Sequence, residues 1–457
     1  MTTVGPVWDQ SLIEKYNLTG PRYTSYPTAL EFQSGFSEQN LLDAISSSQT
    51  RKLSLYVHIP FCHKLCYYCG CNKVITRHPH KADIYLDFLA RELATRGEQF
   101  SDYTVHQLHL GGGTPTFLSE TQMNRLVSML KQHFVFADDV EQGIEVDPRE
   151  IPLSMMSTLA ELGFNRISIG VQDFNQQVQQ AVNREQDNEF IHQLVAEARQ
   201  HGMSSVNLDL IYGLPFQTPE SFAETLKQTL KMDPDRLSVF NYAHLPDRFA
   251  AQRKIDEAQM PSPDQKMMMF RQTIETLTQA GYQYIGMDHF AKPDDELAKL
   301  QRAGELHRNF QGYTTHGDCD LLGVGVSSIS QIGSSYLQNE RELKHYYQQL
   351  DERGDALCKG ITLNRDDLIR RDVIKSLICN LKLDLTDVEA RWEISFADYF
   401  EDAIDALQGL MEDGLVTVTE QRIEVHAAGR LLIRSICMCF DAYMQRQMRQ
   451  RQFSRII

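Results

Sequence analysis

Three cysteines, Cys62, Cys66 and Cys69, lie within eight residues of this 457-residue chain. Their spacing, Cys-x3-Cys-x2-Cys, places three thiols in one short loop, and thiolates are preferred ligands of iron–sulfur clusters and zinc. In a four-iron cluster, three protein ligands leave one iron free to bind a small molecule. The spacing alone therefore predicts a compact metal-binding loop with three thiols.

Two other uses of these thiols compete with an iron–sulfur cluster. The chain has nine cysteines, an odd number, and its first residues lack the basic and apolar regions of a signal peptide, so we do not expect disulfides. Zinc needs four ligands, and Cys71 or His63 could complete that set. Zinc loops usually pair two Cys-x2-Cys halves, and no second half follows, so we favour the cluster and keep zinc as the alternative.

Alternating strands and helices place this loop in a larger fold. Strands are predicted at 53–59, 105–110, 143–147, 165–171, 205–211 and 236–241, and helices at 82–96, 120–132, 153–162, 187–201 and 219–231. This alternation is typical of a parallel sheet with right-handed crossovers. It predicts an α/β fold, an open (β/α)6 partial TIM barrel, whose ligands bind at the carboxyl ends of the strands.

Polar and glycine residues stand at those strand ends. The second strand ends in three glycines, 111–113, which let backbone approach a ligand closely. Later strands end near Glu145 and Asp147, Gln172 and Asp173, Asp209, and Asn241 with Tyr242. Any one of them could be a helix cap or a solvated loop residue. Together they predict one polar site facing the cysteine loop.

The motifs around these residues resemble the oxygen-independent coproporphyrinogen III oxidases of the radical S-adenosylmethionine (SAM) superfamily. The resemblance rests on Tyr-Val-His-Ile-Pro-Phe-Cys at 56–62, Cys-Gly-Cys-Asn at 69–72, and the segments 20–28, 145–149, 170–174, 182–184, 209–215 and 286–290. It runs from about residue 8 to the C-terminus. Two positions depart from the family pattern, Tyr68 for phenylalanine and Phe216 for lysine, and neither removes a predicted ligand.

The resemblance implies an oxidoreductase of haem biosynthesis with one [4Fe–4S] cluster and two SAM molecules. A radical derived from SAM would remove a hydrogen atom from a propionate β-carbon, and loss of CO2 and one electron would leave a vinyl group. Two such events would convert coproporphyrinogen III into protoporphyrinogen IX, with an electron donor such as flavodoxin or ferredoxin. A haem-binding chaperone on the same scaffold is the alternative; residues 22–28 and Cys71 favour the enzyme.

The resemblance also implies residue roles. The metal ligands would be Cys62, Cys66 and Cys69, and Cys71 would stay unligated nearby as a candidate catalytic group. The first SAM would be lined by Tyr56, Tyr68, Gly112 and Glu145. The second would be held by Gly113, Thr114, Gln172, Arg184, Asp209, Ala243 and Ile329. From its residue type alone, Arg184 fits a surface salt bridge better than a ligand contact.

Three parts are expected along the chain: an N-terminal extension and possible substrate lid (1–50), the radical SAM barrel (51–345) and a mainly helical C-terminal domain (346–457). In the last, helices at 366–377, 397–411 and 428–447 and strands at 414–418 and 422–425 resemble a winged-helix module. Its many acidic residues make DNA binding a poor interpretation. A cover for the mouth of the barrel fits this part better.

The charge and hydropathy of the chain indicate which kinds of partner it can bind. The net charge of −16 argues against a nucleic-acid surface. No apolar run approaches the roughly 20 residues of a membrane span, and we expect a cytoplasmic monomer. A tetracarboxylate substrate requires cations concentrated locally, and the candidates are Arg22, Lys292, His307 and Arg308.

Overall fold

The computed structural model describes residues 5–444, which form two compact units. We call residues 32–269 with 318–362 the barrel unit, and residues 5–31, 270–317 and 363–444 the C-terminal unit. The expected division into 1–50, 51–345 and 346–457 stays a prediction. No helix in the described part of the chain is long and apolar enough to cross a membrane.

Six parallel strands form the centre of the barrel unit, and each pairs with the next in chain order. We number them as the first to sixth barrel strands: Lys52–Ile59, Thr104–Gly112, Val135–Val146, Arg166–Gln172, Ser205–Tyr212 and Arg236–Asn241. The predicted fold class is confirmed. The largest difference in bounds is in the third strand, which begins at residue 135 rather than 143.

Helices connect these strands and end where local signals predict. They are His80–Gln99, Glu120–His133, Met155–Leu162, Gln176–Ala181, Asn188–Gln200 and Pro219–Lys231. Ser119 caps the second helix in a capping box with Gln122. Gly163 ends the third in a left-handed conformation with φ of 102°. These caps fix the strand ends, where the polar residues stand.

Further elements of the barrel unit were not predicted. Asp320–Val324 pairs in parallel with the first barrel strand, and an antiparallel series continues from it. The series is Ile329–Ile332, Ser335–Asn339, Leu357–Thr362 and Gln33–Ser34. The remaining helices are Glu38–Ser47 and Leu343–Arg353, with short 3-10 turns at Pro115–Phe117, Ala250–Lys254 and Glu257–Gln259.

The C-terminal unit is mainly helical. Its helices are Gln10–Tyr16, Glu296–Ala303, Arg365–Asn380, Leu385–Trp392, Phe396–Tyr399, Glu401–Glu412 and Ile433–Met438. The division between the two units falls inside one further helix, Pro263–Gln279. Its strands form a three-stranded sheet in the order Lys382–Asp384, Arg422–Val425, Val416–Val418, and the hairpins Gln283–Gly286 with His289–Ala291 and His307–Asn309 with Gly312–Thr314. The predicted helix 428–447 is shorter, Ile433–Met438, and residues 445–447 lie outside the described part.

The N-terminal segment belongs to this unit because buried polar contacts hold it there. The guanidinium of Arg434 donates to the carbonyls of Gly20 and Pro21. The hydroxyl of Tyr23 donates to Asp441, 2.9 Å away. These contacts join residues some 400 positions apart in sequence, so the spacing of motifs could not predict them.

Candidate active site

The cysteine loop leaves the carboxyl end of the first barrel strand and is held at both ends. Two short parallel strands, Phe61–Cys62 and Val74–Ile75, close the loop at its base. Farther along, the amide of Asn183 donates to the carbonyl of Leu65 over 2.7 Å, and the Tyr67 amide donates to the Val182 carbonyl over 3.0 Å. The segment after the fourth barrel strand therefore fixes the shape of the loop.

Hydrogen-bond donors surround two of the three thiols. The Thr114 hydroxyl lies 3.4 Å from Cys62 Sγ. The guanidinium groups of Arg149 and Arg184 each lie 3.3 Å from Cys66 Sγ. Donors aimed at sulfur stabilise the thiolate form, which is the form that binds a metal.

Asp147 anchors both arginines. Its carboxylate accepts a bidentate pair of bonds from Arg149, at 2.9 and 2.6 Å, and a third contact from Arg184 at 3.3 Å. Burial works against ionisation of this carboxyl, but Arg184 and Arg149 outweigh it and hold the pKa of Asp147 well below its usual range. Arg184 is itself buried and also donates to the Gly170 carbonyl, so its interpretation as a surface salt bridge is wrong.

Glu145 and the glycine loop lie at the ends of neighbouring strands. Glu145 accepts a bond from the Gly112 amide at 3.1 Å, and His109 lies 3.4 Å from its other oxygen. Burial opposes ionisation of Glu145, yet His109 and the Gly112 amide lower its pKa. Tyr56 stacks on His109 with ring centroids 6.1 Å apart. The result is a half-exposed carboxylate held in the charged form.

Glycine is required at position 113. A Cβ placed there would lie 2.6 Å from both the carbonyl carbon and the oxygen of Pro60, and 2.9 Å from the Phe61 carbonyl oxygen. Those atoms are backbone of the segment leading into the cysteine loop, so they cannot move aside as a flexible side chain could. Gly113 therefore sets the closest approach between the glycine loop and the cysteine loop.

The remaining predicted residues also lie at the carboxyl ends of barrel strands or beside them. Burial raises the pKa of Asp209 to about 6, although Ser168 donates to it at 2.9 Å. Gln172 has a positive φ of 68° at the end of the fourth strand. Ala243 is exposed just beyond the sixth strand. Ile329 lies beside Gly323, which pairs with Tyr56 of the first strand.

Cys71 is placed to act on a neighbouring thiol. Its S–H donates toward Cys69, and this bond, more than any other interaction, lowers the pKa of Cys69. The Nζ of Lys73 adds to the effect and donates to the Cys69 carbonyl over 2.9 Å. Tyr68, in the same loop, packs with Tyr67 against an apolar cluster that includes Val178 and Ile211.

Several residues that shape the site were missed in the sequence analysis. Arg149 stood inside a quoted motif, two positions after Asp147, and that i, i+2 spacing of opposite charges was the available signal. His109 alternates with the core residues of the second barrel strand. Buried Gln252 donates to the Tyr68 carbonyl over 3.0 Å from a distant turn, and nothing in its local sequence indicated this.

All four cations proposed for substrate, Arg22, Lys292, His307 and Arg308, lie in the C-terminal unit. Arg22 forms an ion pair with Asp288. Arg308 is buried and stacks over the ring of Tyr313 at 4.7 Å. Their role in substrate binding stays a prediction.

Comparisons with known proteins agree with this geometry. The Radical SAM superfamily matches residues 56–229, and the HemN C-terminal domain matches residues 363–432. The chain is 62% identical to an oxygen-independent coproporphyrinogen III oxidase of Salmonella typhimurium over 98% of both chains, and 52% identical to that of Pseudomonas aeruginosa over 98% of this chain and 99% of the relative. It superposes on the solved coproporphyrinogen III oxidase of Escherichia coli, described as a radical SAM enzyme, with a TM-score of 0.93 and 60% identity over 96% of this chain and 100% of that one.

Proposed function

The chain belongs to the oxygen-independent coproporphyrinogen III oxidases, a family of radical SAM enzymes, and we propose how its own residues serve that reaction. The reaction is oxidative decarboxylation of two propionate side chains of coproporphyrinogen III to vinyl groups, which gives protoporphyrinogen IX. This membership favours the enzyme over a haem-binding chaperone. Together, a bound [4Fe–4S] cluster and SAM supply the one-electron chemistry that removes a hydrogen atom from a propionate.

The observation that carries the proposed site is the donor set around the thiols. We assign Cys62, Cys66 and Cys69 as the cluster ligands. Two guanidinium groups on Cys66 Sγ suit a ligand that keeps negative charge when metal is bound, and they lower the cost of holding that charge in a buried site. The residues present therefore fit an iron–sulfur cluster.

The residues assigned to the first SAM form a polar edge next to these ligands. Glu145 offers one oxygen to the Gly112 amide and keeps further lone pairs for hydroxyl or amino groups of a ligand. Tyr56 presents its ring, fixed by stacking on His109 and by contact of its hydroxyl with His58 Nδ1 at 3.1 Å. We propose that Glu145 orients SAM by hydrogen bonding, with Gly112 and Tyr68 as backbone contacts.

A second SAM would lie along Gly113, Thr114, Gln172, Arg184, Asp209, Ala243 and Ile329. Two contacts refine these roles. Arg184 already serves Cys66, Asp147 and the Gly170 carbonyl, so we propose that it positions the cluster ligand as well as facing SAM. Asp209, whose pKa burial raises to about 6, is mostly ionised at pH 7 and can accept hydrogen bonds from a ligand.

Cys71 is proposed as a donor to the Cys69 ligand rather than as a ligand itself. Hydrogen bonds to cluster sulfurs raise the reduction potential. Cys71→Ala is expected to keep the cluster and lower its potential, whereas Cys71→Ser keeps a hydroxyl donor and should change the potential less. Loss of iron in Cys71→Ala equal to that in Cys66→Ser would instead make Cys71 a ligand.

We propose that an acidic electron donor, such as flavodoxin or ferredoxin, docks beside the cysteine loop. A groove of about 600 Å³ opens there, lined in part by Lys64, Arg77, His78 and Lys81. All four side chains are exposed, and so is His80, which lies between His78 and Lys81. A local excess of positive charge on a chain of net charge −16 would steer a negatively charged partner to this place.

One acidic residue, Glu150, reduces the positive charge of this groove. Glu150 lies 3.3 Å from Lys64 and 3.4 Å from His63, so it neutralises part of the charge. We therefore expect Arg77 and Lys81 to contribute most to docking. The Arg77→Gln/Lys81→Gln variant should raise the KM for reduced flavodoxin about tenfold at low salt. Turnover driven by dithionite should not change, and Lys227→Gln, in a distant helix, is the control.

The overall test is anaerobic turnover. Protein reconstituted with iron and sulfide, then given coproporphyrinogen III, SAM and a reductant, should release CO2 and form vinyl product, and Cys66→Ser should form none. SAM cleavage without decarboxylation would contradict the substrate assignment. Stoichiometric zinc without iron after anaerobic reconstitution would contradict the cluster assignment. The electron donor and the monomeric state remain predictions.

A further inference from the structure

Three cations of the C-terminal unit, Arg308, Arg371 and Lys375, are buried or half-buried. Arg308 lies on strand His307–Asn309 and is only 5% exposed, and its Nε and Nη1 have no hydrogen-bond partner among the described residues. One face of its guanidinium stacks on Tyr313. Burying a charged group with its donors unused is costly. Nε and Nη1 of this guanidinium therefore keep hydrogen-bonding capacity that the described residues do not use.

Helix Arg365–Asn380 adds two more cations to the same place. Arg371, Lys375 and Cys379 recur every fourth residue, so they share one face of the helix over roughly 12 Å. The strand that carries Arg308 contacts the C-terminal end of this helix, since the Leu306 amide donates to Asn380 Oδ1 over 3.0 Å and the Tyr313 hydroxyl donates to the Ile378 carbonyl over 3.4 Å. Nη1 of Arg371 is also buried without a partner in the described part of the chain.

Three carboxylates of the C-terminal unit have structural partners of their own. Asp372, on the same helix, accepts from Arg391 at 2.6 Å and from the indole of Trp392 at 3.0 Å. Asp288 forms an ion pair with Arg22. Asp441 accepts from the Tyr23 hydroxyl and the Tyr443 amide. The hydrogen bonds of these acids therefore go to other groups, although the charge of Asp372 still opposes the lowering of the Lys375 pKa.

Lys375 differs from an ordinary surface lysine. It is half-buried on the helix, and burial and the charge of Arg371 lower its pKa to about 8. An anion that reaches it would meet a poorly solvated ammonium group, and the attraction between them would exceed that at an open surface.

We propose that Arg308, Arg371 and Lys375 form a carboxylate-binding site for the propionates of the substrate that are not decarboxylated. This assignment rests on the proposed function, since coproporphyrinogen III has four propionates and two of them react. A propionate held by an arginine fork is anchored as the anion. The site would therefore fix the macrocycle through its unreactive side chains, and the three residues are positioning residues rather than catalytic ones.

Binding can be tested separately from turnover. Coproporphyrin III, the oxidised and fluorescent form of the macrocycle, is titrated into the reconstituted holoenzyme. We expect Arg308→Gln and Lys375→Gln each to raise its Kd about tenfold. Arg308→Lys keeps the charge but loses the fork, so its effect should be intermediate. Arg422→Gln, an exposed arginine of the same unit, is the control and should bind normally.

A second probe identifies which carboxylates are bound. Esterifying only the two unreactive propionates should weaken binding to the unmodified enzyme strongly, and to Arg308→Gln/Lys375→Gln hardly at all. Equal loss in both proteins would overturn the proposal, as would an unchanged Kd for coproporphyrin III in folded variants. Cleavage of SAM in the absence of substrate and iron content should stay normal in the variants. Failure of the unmodified enzyme to form vinyl product, with this binding pattern intact, would contradict the proposed function alone.

Discussion

Buried cations serve different purposes in the two units. In the barrel unit, Arg149 and Arg184 share the carboxylate of Asp147 and both donate to Cys66 Sγ. In the C-terminal unit, Arg308 leaves two nitrogens without a partner among the described residues. In the barrel unit, where Asp147 supplies the counter-charge, the arginines hold a cysteine in position. In the C-terminal unit, an arginine without a protein partner is proposed to bind a carboxylate of the substrate. The partners of a cation, rather than its presence, distinguish the two roles.

The largest effect is expected from removing the atom that both barrel arginines contact. Cys66→Ser takes away a thiolate ligand and leaves two guanidinium groups facing a neutral hydroxyl, so we expect loss of the cluster and of all turnover. Iron content and the EPR signal of the reduced protein measure this. Cys358→Ser, half-buried and away from the loop, is the control. Wild-type iron content in Cys66→Ser would contradict the ligand assignment.

Asp147→Asn removes the negative charge that balances Arg149 and Arg184. It leaves Arg149 and Arg184 buried without an anion, and we expect a loss of about 3 kcal/mol in the free energy of unfolding, together with a weakened cluster. Because the pKa of Asp147 is lowered by folding, its contribution is complete at neutral pH and is lost only in strong acid, as pH falls through the folded pKa.

Chemical denaturation of the apoprotein at pH 7 provides the measurement for Asp147→Asn. The matched control is Asp102→Asn, which breaks an exposed ion pair with Arg51 and should change stability little. Equal stabilities for the two variants would show that the barrel arginines do not depend on Asp147.

Gly113→Ala tests shape rather than charge in the barrel unit. The added methyl would meet the backbone of Pro60 and Phe61, so the glycine loop and cysteine loop must separate. We expect SAM binding, followed by equilibrium dialysis, to fall at least about tenfold, with a smaller loss of iron. Gly409→Ala is the control: its site is open and helical, and alanine there should be neutral or stabilising. Normal SAM affinity in Gly113→Ala would remove this residue from the site.

Local sequence predicted the barrel well because its signals are local. The sixth strand, 236–241, and the helix at 219–231 have the predicted bounds, since apolar runs and capping residues define them. The antiparallel strands Ile329–Ile332 and Ser335–Asn339 were missed because they are short and no helix separates them. The helix predicted at 397–411 is interrupted at Phe400, whose ring packs in the core between Phe396 and Phe440.

The site was predicted less completely than the fold. Residue types and motifs identified the thiols, Glu145 and Asp209. They did not show that Arg184 is buried, because burial depends on where the segment after the fourth strand packs. Nor could they show which cations lack partners: Arg308 was proposed beside Arg22, and only the structure separates the paired arginine from the unpaired one. Pairing is a tertiary property, and spacing does not encode it.

The smallest expected effect is a pH dependence of substrate affinity that comes from Lys375 in the C-terminal unit and not from the barrel arginines. Burial and Arg371 lower the pKa of Lys375 to about 8, while Cys379 and Asp372 oppose this shift. Above that pH the ammonium group loses its proton, so affinity for a carboxylate should fall as pH rises through about 8 or somewhat higher, since a bound anion raises the pKa. The KM for coproporphyrinogen III should increase severalfold between pH 7 and 9.5.

In Lys375→Arg the side chain stays charged over this range, so the increase should disappear. The barrel arginines do not titrate here, and turnover at saturating substrate should keep the same pH profile in both proteins. An identical rise of KM in Lys375→Arg would mean that another group governs binding, and the unpaired cations of the C-terminal unit would then need a different explanation.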